Sequence, residues 1–234
     1  MGYAAQSRRP MLISFSGMDG AGKSTQIDNL TSVLERSGLR VCRLAFWDDV
    51  VVFPRYRERF VQKVFKSEGG VGTPERPVER RDKNMRAWYL TLVRHFLYLL
   101  DTLHLSWVLA RARCREADVL VMDRYIYDEL VNLPLENVAS RACFRLMVFL
   151  APRPQLAFLL DAEPGAARSR KPEYPADFMR QYRGWYHRLA RLLGTMTVIP
   201  PLPLSEAEFR VTETLRLILA ERGEIAASDL PRSA

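Results

Sequence analysis

The sequence predicts a three-layer α/β/α domain built on a five-stranded parallel sheet. Two observations lead there. Short apolar runs alternate with longer helical patterns along most of the chain, and the first run leads straight into a glycine-rich turn followed by an amphipathic helix. With 234 residues and 48% apolar side chains, one large core can be filled.

In chain order, the first strand is expected over residues 11–16 and a helix over 23–37, ended by Gly38. The second strand is expected over 40–46, the third over 117–122 (ADVLVM), the fourth over 155–160 and the fifth over 195–199. Helical patterns cover 88–109, 138–150, 177–193 and 205–222. Trp185 and Tyr186 are expected to pack the 177–193 helix on the sheet. Residues 1–10 read as an N-terminal extension, 11–222 as the domain, and 223–234 as a frayed tail. Between 54 and 86 ten Lys and Arg outnumber five acids around SEGGVGTPERPVERR, which reads as a solvated connection or as a loop closing over an anion.

A net charge of +8 suits a protein that handles polyanions, but does not choose among nucleotide, nucleic acid and anionic membrane. Cys42, Cys114 and Cys143 have no paired spacing, so reduced thiols in a cytoplasmic protein are expected, with neither disulfide nor zinc site. The apolar run after Arg8 and Arg9 ends at Ser16 and Gly17, too short for a signal segment. The run over 88–109 comes nearest to a membrane span, but Arg94, His95, Asp101 and His104 interrupt it. A buried amphipathic helix is expected there, and no membrane partner.

Residues 17–24 read GMDGAGKS, a full match to G-x-x-x-x-G-K-[ST], with Thr25 following. Its setting between a strand and a helix is the one the P-loop motif needs. Gly17, Gly20 and Gly22 let successive backbone N–H groups, with those of Asp19 and Ala21 between them, face a phosphate chain. Lys23 would reach the β- and γ-phosphates, and the Ser24 hydroxyl would ligate magnesium. ATP and Mg2+ are therefore the expected cofactors. Asp123, at the end of the third strand, is expected to hold the metal or one of its waters, leaving Arg124 to meet a phosphate. Arg168, Arg170 and Lys171, just after the fourth strand and Asp161, read as cations that close over the γ-phosphate in a lid at 163–176, or else as a basic surface turn.

Taken together, FSGMDGAGKST, DRY at 123–125 and LLDAEPGAARSRK are similar to the P-loop, the DR-[YS] signature and the arginine-bearing lid of the thymidylate kinase family of P-loop nucleoside monophosphate kinases. The resemblance spans residues 11 to about 200. It implies a P-loop NTPase fold with a small lid and phosphoryl transfer from ATP to a nucleoside monophosphate, thymidine monophosphate by default. It further implies that Asp19 contacts the sugar or phosphate side of the acceptor and that Arg124 holds the acceptor phosphate, with Tyr125 beside it. Arg168 and Arg170 would be lid arginines, Tyr98 would stack on the acceptor base, and Asp101 would be the acid that follows it.

The chain departs from the family in three places, one of them a basic segment over 55–86 that is longer than usual. FWDDVVVFPR follows the second strand where the family carries Arg-Glu-Pro-Gly-Gly, and Thr102 stands where the family has an arginine that reads a thymine carbonyl. Loss of that donor predicts relaxed base discrimination, unless the basic segment supplies another. Two alternatives stay open. One is a kinase of a hydroxyl acceptor such as a deoxynucleoside, with Asp48 or Asp49 as base near Trp47. The other is an ATP-switch protein associated with nucleic acid, for which no binding motif is present. His95, His104 and His187 have no partner spacing and are given no catalytic role. The apolar helices over 88–110 and 138–150 would support a homodimer.

Overall fold

A computed structural model describes residues 9–54, 57, 88–113, 117–172 and 174–222. The N-terminal extension, nearly all of the basic segment 54–86, Cys114 and the tail 223–234 lie outside the described residues.

The strands are β1 (Met11–Ser16), β2 (Val41–Ala45), β3 (Val119–Asp123), β4 (Leu156–Leu160) and β5 (Met196–Ile199). They form one sheet in the order β2-β3-β1-β4-β5, every pairing parallel. The helices are α1 (Lys23–Arg36), α2 (Trp88–Arg113), α3 (Tyr127–Leu130), α4 (Val138–Leu150), α5 (Pro164–Arg170), α6 (Ala176–Leu193) and α7 (Leu204–Arg222). A π-helical turn, Phe46–Val50, follows β2, and Asp49 caps it by accepting the Ala45 N–H at 2.7 Å.

β1 is buried along its whole length because both sides of the sheet are covered. Met11, Ile13 and Phe15 meet Ile27 and Leu30 of α1 and Leu215 and Leu219 of α7 in one core cluster. Leu12 points the other way, into a second cluster with Leu105 and Leu109 of α2, Phe144 of α4 and Tyr186 of α6. Each of these buried side chains contributes roughly 1.5–3 kcal/mol of transfer free energy.

Parallel register brings the strand ends together. Phe15 of β1 and Ala45 of β2 both pair with Asp123 of β3, so the turn after β1 lies directly beside Asp123. This is the carboxyl edge where open α/β sheets bind ligands. The helix expected at 88–109 is α2, longer by a turn and buried along only part of its surface. Phe96, Leu103 and Trp107 stay exposed, and Val138 and Phe149 do so on neighbouring α4.

Candidate functional site

The turn between β1 and α1 is shaped by its glycines. Gly17 has φ +140, and a Cβ there would sit 2.5 Å from the Leu160 carbonyl oxygen of β4, so no other residue fits without moving the strand. Gly22, at φ 87, is the N-cap of α1 and supplies no side-chain cap. By contrast, α4 begins at Asn137, whose side chain accepts the Ala139 and Ser140 N–H groups at 2.7 and 3.3 Å. The first turn of α1 thus keeps its N–H groups and its positive dipole end uncapped by a side chain and carries no acid, which suits an anion.

Gly20, Gly22, Lys23, Ser24 and Thr25 line a cavity of about 230 Å³ together with Arg170 and Lys171 from the end of α5. Arg170 reaches across to donate to the Gly20 carbonyl at 2.9 Å. Arg168 is half-buried on the same helix, outside the residues that line the cavity. Ala21 packs against both core clusters and anchors the loop between them.

Lys23 is 7% exposed, and its Nζ donates to the Gly17 and Met18 carbonyls at 2.9 Å each. Burial, with the neighbouring Arg124 charge, pushes its ammonium down to about 8, against opposing pulls from Asp19, Asp128 and Asp123. Carbonyl oxygens hold the Lys23 cation where phosphate oxygens would complete its neutralisation. Asp123 makes no side-chain hydrogen bond or ion pair among the described residues, and Ser24 is exposed in the cavity wall. A hydroxyl and one free carboxylate fit magnesium, which keeps most of its waters and takes its other ligands from phosphates. No group of three or more His, Cys, Asp or Glu among the described residues forms a complete metal cage.

Arg124 follows Asp123 in the left-handed region at φ 66, a conformation that costs roughly 1–2 kcal/mol for a residue with a side chain. Its N–H donates to the Phe15 carbonyl at 2.9 Å, and its guanidinium bridges two acids, Asp19 through Nη2 and Asp128 through Nη1. Lys171 also lies 3.9 Å from Asp19. Asp19, Arg124 and Lys171 thus meet at the lip of the phosphate cradle.

Tyr125 is placed elsewhere. It is fully buried, packs edge-on against Tyr127 at 4.9 Å and donates its hydroxyl to the Pro152 carbonyl. The turned backbone at Arg124 sends adjacent side chains in different directions, so Tyr125 belongs to the core and its side chain does not reach the cradle.

The side expected to take an acceptor base holds a buried ion cluster. Asp101 is 0% exposed, and its oxygens accept from Arg57 Nη2 at 2.8 and 2.7 Å and from the Val52 N–H at 2.7 Å. Arg57 Nη1 donates to Glu129 at 3.1 Å. Burial, reinforced by nearby Asp101, pushes the Glu129 carboxyl well above its usual range while Arg57 opposes the rise. Tyr98 packs beside this cluster. Burial and the Glu129 charge raise its phenol, while Arg94 and Arg57 counter them. Asp101 therefore meets a ligand only through Arg57. Thr102 is buried and its hydroxyl donates to the Tyr98 carbonyl at 2.7 Å.

The sequence reading missed Arg57, Asp128 and Glu129. Asp128 had a visible signal, the four-residue spacing from Arg124 in DRYIYD. Arg57 had none, because its partners lie 44 and 72 residues away. Asp161, after β4, is held by Arg183 through two 2.8 Å bonds and lies 3.1 Å from His187, and so ties α6 to the sheet.

No family model matches the chain. It is 30% identical over 170 residues to a thymidylate kinase of Xanthomonas oryzae pv. oryzae, an alignment covering 68% of this chain and 60% of that protein. The chain therefore spans less than two thirds of the length of that relative. A probable thymidylate kinase of Archaeoglobus fulgidus is 25% identical over 218 residues, covering 89% of this chain and 96% of its own. A thymidylate kinase of Symbiobacterium thermophilum is 28% identical over 190 residues, covering 77% and 76%. Among solved structures, thymidylate kinase from Ehrlichia chaffeensis superposes with a TM-score of 0.56 at 17% identity, over 89% of this chain and 99% of that one, a likeness of fold.

Proposed function

The chain belongs to the thymidylate kinase family, and from that premise we propose that it transfers the γ-phosphoryl group of ATP to a nucleoside monophosphate, with thymidine monophosphate as the default acceptor. The observation that carries this reading is the cavity at the head of α1, where Lys23 and Ser24 face Arg170 and Lys171 across space of about 230 Å³.

Each residue has a physical role in this reading. The uncapped N–H groups at the start of α1 and the Lys23 ammonium bind the triphosphate. Arg170 and Arg168 on α5 supply positive charge that offsets the negative charge spread over the transferring group. Arg124 holds the acceptor phosphate at the opposite lip, with Asp19 beside it on the sugar side. Ser24 and Asp123 would hold Mg2+, which when bound offsets phosphate charge. No general base is required, because the attacking phosphate oxygen is already anionic.

A hydroxyl acceptor would need such a base. Of the two candidates, Asp49 is engaged as the cap of the Phe46–Val50 turn, while Asp48 is exposed. Only Asp48 is left for that role. A cytoplasmic location accompanies the reading, and no described helix is long and apolar enough to cross a membrane. Nucleic acid has no part in it. The exposed Phe96, Leu103 and Trp107 of α2 and Phe149 of α4 support a homodimer through these two helices, and Phe149→Asp should then shift the molar mass in light scattering toward the monomer.

Nucleoside monophosphates screened as acceptors with γ-labelled ATP test the function directly. Label should appear in a nucleoside diphosphate, and inactivity with every monophosphate would overturn the proposal.

A further inference from the structure

Asp128 has no part in the chemistry assigned above, yet more of the site converges on it than on any ligand-facing residue. Its side chain is 0% exposed. Oδ2 accepts the Ser16 hydroxyl at 2.7 Å and the Tyr125 N–H at 3.1 Å. Oδ1 accepts Arg124 Nη1 at 3.1 Å, the Tyr186 hydroxyl at 2.7 Å and, at a longer 3.4 Å, the Gly17 N–H. These donors come from the end of β1, the first residue of the phosphate loop, the turn after β3, and α6.

A fully enclosed carboxylate is tolerated only when its charge is matched and its lone pairs are filled. Here the Arg124 guanidinium supplies the countercharge and neutral donors fill the rest. The two acids that share Arg124 are therefore unequal. Asp128 is sealed by its neighbours, whereas the Asp19 side chain is 21% exposed and has a second cation, Lys171, within 3.9 Å. An anion arriving from the cavity side can displace Asp19 from Nη2 but has no route to displace Asp128 from Nη1.

We propose that Asp128 is the positioning residue of the acceptor site: it fixes Arg124 through Nη1 and leaves Nη2 to be exchanged between Asp19 and the phosphate of the acceptor. The inference rests on the phosphotransferase reading above, and Asp128 itself touches neither nucleotide. It also explains why Arg124 keeps a left-handed backbone. The Phe15 carbonyl holds its N–H and Asp128 holds its guanidinium, so the strained residue is fixed at both ends.

The test is Asp128→Asn in the full chain, with steady-state constants for both substrates. A displaced charge clamp should raise the KM for the monophosphate roughly ten- to a hundredfold, with the KM for ATP changed by less than about threefold. In an Arg124→Ala background the same substitution should change the acceptor KM by less than about twofold, because its partner is already gone. Equal shifts in both KM values, or independent effects in the double variant, would reduce Asp128 to a structural residue and overturn the proposal. Should Asp128→Asn fail to fold, Asp128→Ser keeps an acceptor for the Tyr125 N–H without the charge, and the same split is expected of it. A wild-type chain inactive with every monophosphate overturns the function and this inference together, whereas an active wild type with no split in the variants overturns the role of Asp128 alone.

Discussion

Arg57 and Asp101 are joined through a single guanidinium nitrogen, Nη2, which lies 2.8 and 2.7 Å from the two carboxylate oxygens. The acid is completely buried and the arginine side chain is 18% exposed. The same guanidinium serves Glu129 at 3.1 Å, so one cation lies between two buried acids. Removing it leaves uncompensated charge in the interior. Arg57→Met should destabilise the protein by about 3–5 kcal/mol, the range found when one partner of a buried pair is lost. Urea unfolding measures this, and a loss under about 1 kcal/mol would class the cluster with weak surface pairs.

Glu129 makes stability depend on pH. Its folded carboxyl titrates well above the ordinary 4.5, from burial first and Asp101 second. The folded state therefore keeps a proton that the unfolded chain releases, and stability is lost as pH rises from 4.5 toward the folded value. Relative to Glu129→Gln, the wild type should lose up to about 1.4 kcal/mol per pH unit in that window. Parallel stability curves for the two proteins would show that Glu129 is ionised in the fold.

A second titration concerns nucleotide. With its ammonium pushed down to about 8 by burial and by Arg124, Lys23 is partly neutral above that pH when no phosphate is bound. Triphosphate favours the charged form. ATP binding should therefore take up protons above pH 8, and affinity should fall as pH rises through 8. Calorimetry in buffers of different ionisation enthalpy reads the uptake. Lys23→Gln should bind more weakly and without it, and the same uptake in that variant would assign the proton to another group.

Asp123 carries the metal prediction. Asp123→Asn should weaken the response of turnover to magnesium more than it weakens binding of metal-free ATP, because its carboxylate has no protein partner to lose among the described residues. Equal losses in both measurements would give Asp123 a role in holding the fold.

The donor half of the site was legible because its chemistry is local. GMDGAGKS fixes a loop, a dipole and a lysine within eight residues, and the apolar run at 11–16 places them on the sheet edge. The strands were nearly as plain, since each is a short, mostly apolar run, and the central β1 and β4 are buried along their whole length. The acceptor half was not, because its decisive contacts are long-range. Nothing in the string FPRYRER marks Arg57 as the partner of Asp101, and nothing adjacent to Tyr125 shows that its hydroxyl turns to Pro152. A left-handed residue that is not glycine, Arg124, is likewise invisible until the backbone is seen.

Base selection is where structure alters the expectation drawn from sequence. Thr102 cannot replace the missing arginine, since it is buried and its hydroxyl is engaged by its own helix. Arg57 brings a guanidinium to the same acid from elsewhere in the chain, and its Nε is buried without a partner among the described residues. We propose that this guanidinium, beside Tyr98, stands in for the donor lost at Thr102. A site that hydrogen-bonds a substrate group rejects analogues lacking it by roughly 10⁴-fold, whereas an apolar pocket manages about 10- to 200-fold. Thymidine and uridine monophosphates carry a ring carbonyl where cytidine monophosphate carries an amino group. The wild type should therefore favour the first two over the third in kcat/KM by more than about 200-fold, and Arg57→Met should bring the ratio down into the apolar range. A ratio measured on one enzyme preparation cancels its folded fraction, so the stability loss expected of the variant does not distort it. A wild-type ratio below about 200, or one that Arg57→Met leaves unchanged, would confine Arg57 to bridging Asp101 and Glu129.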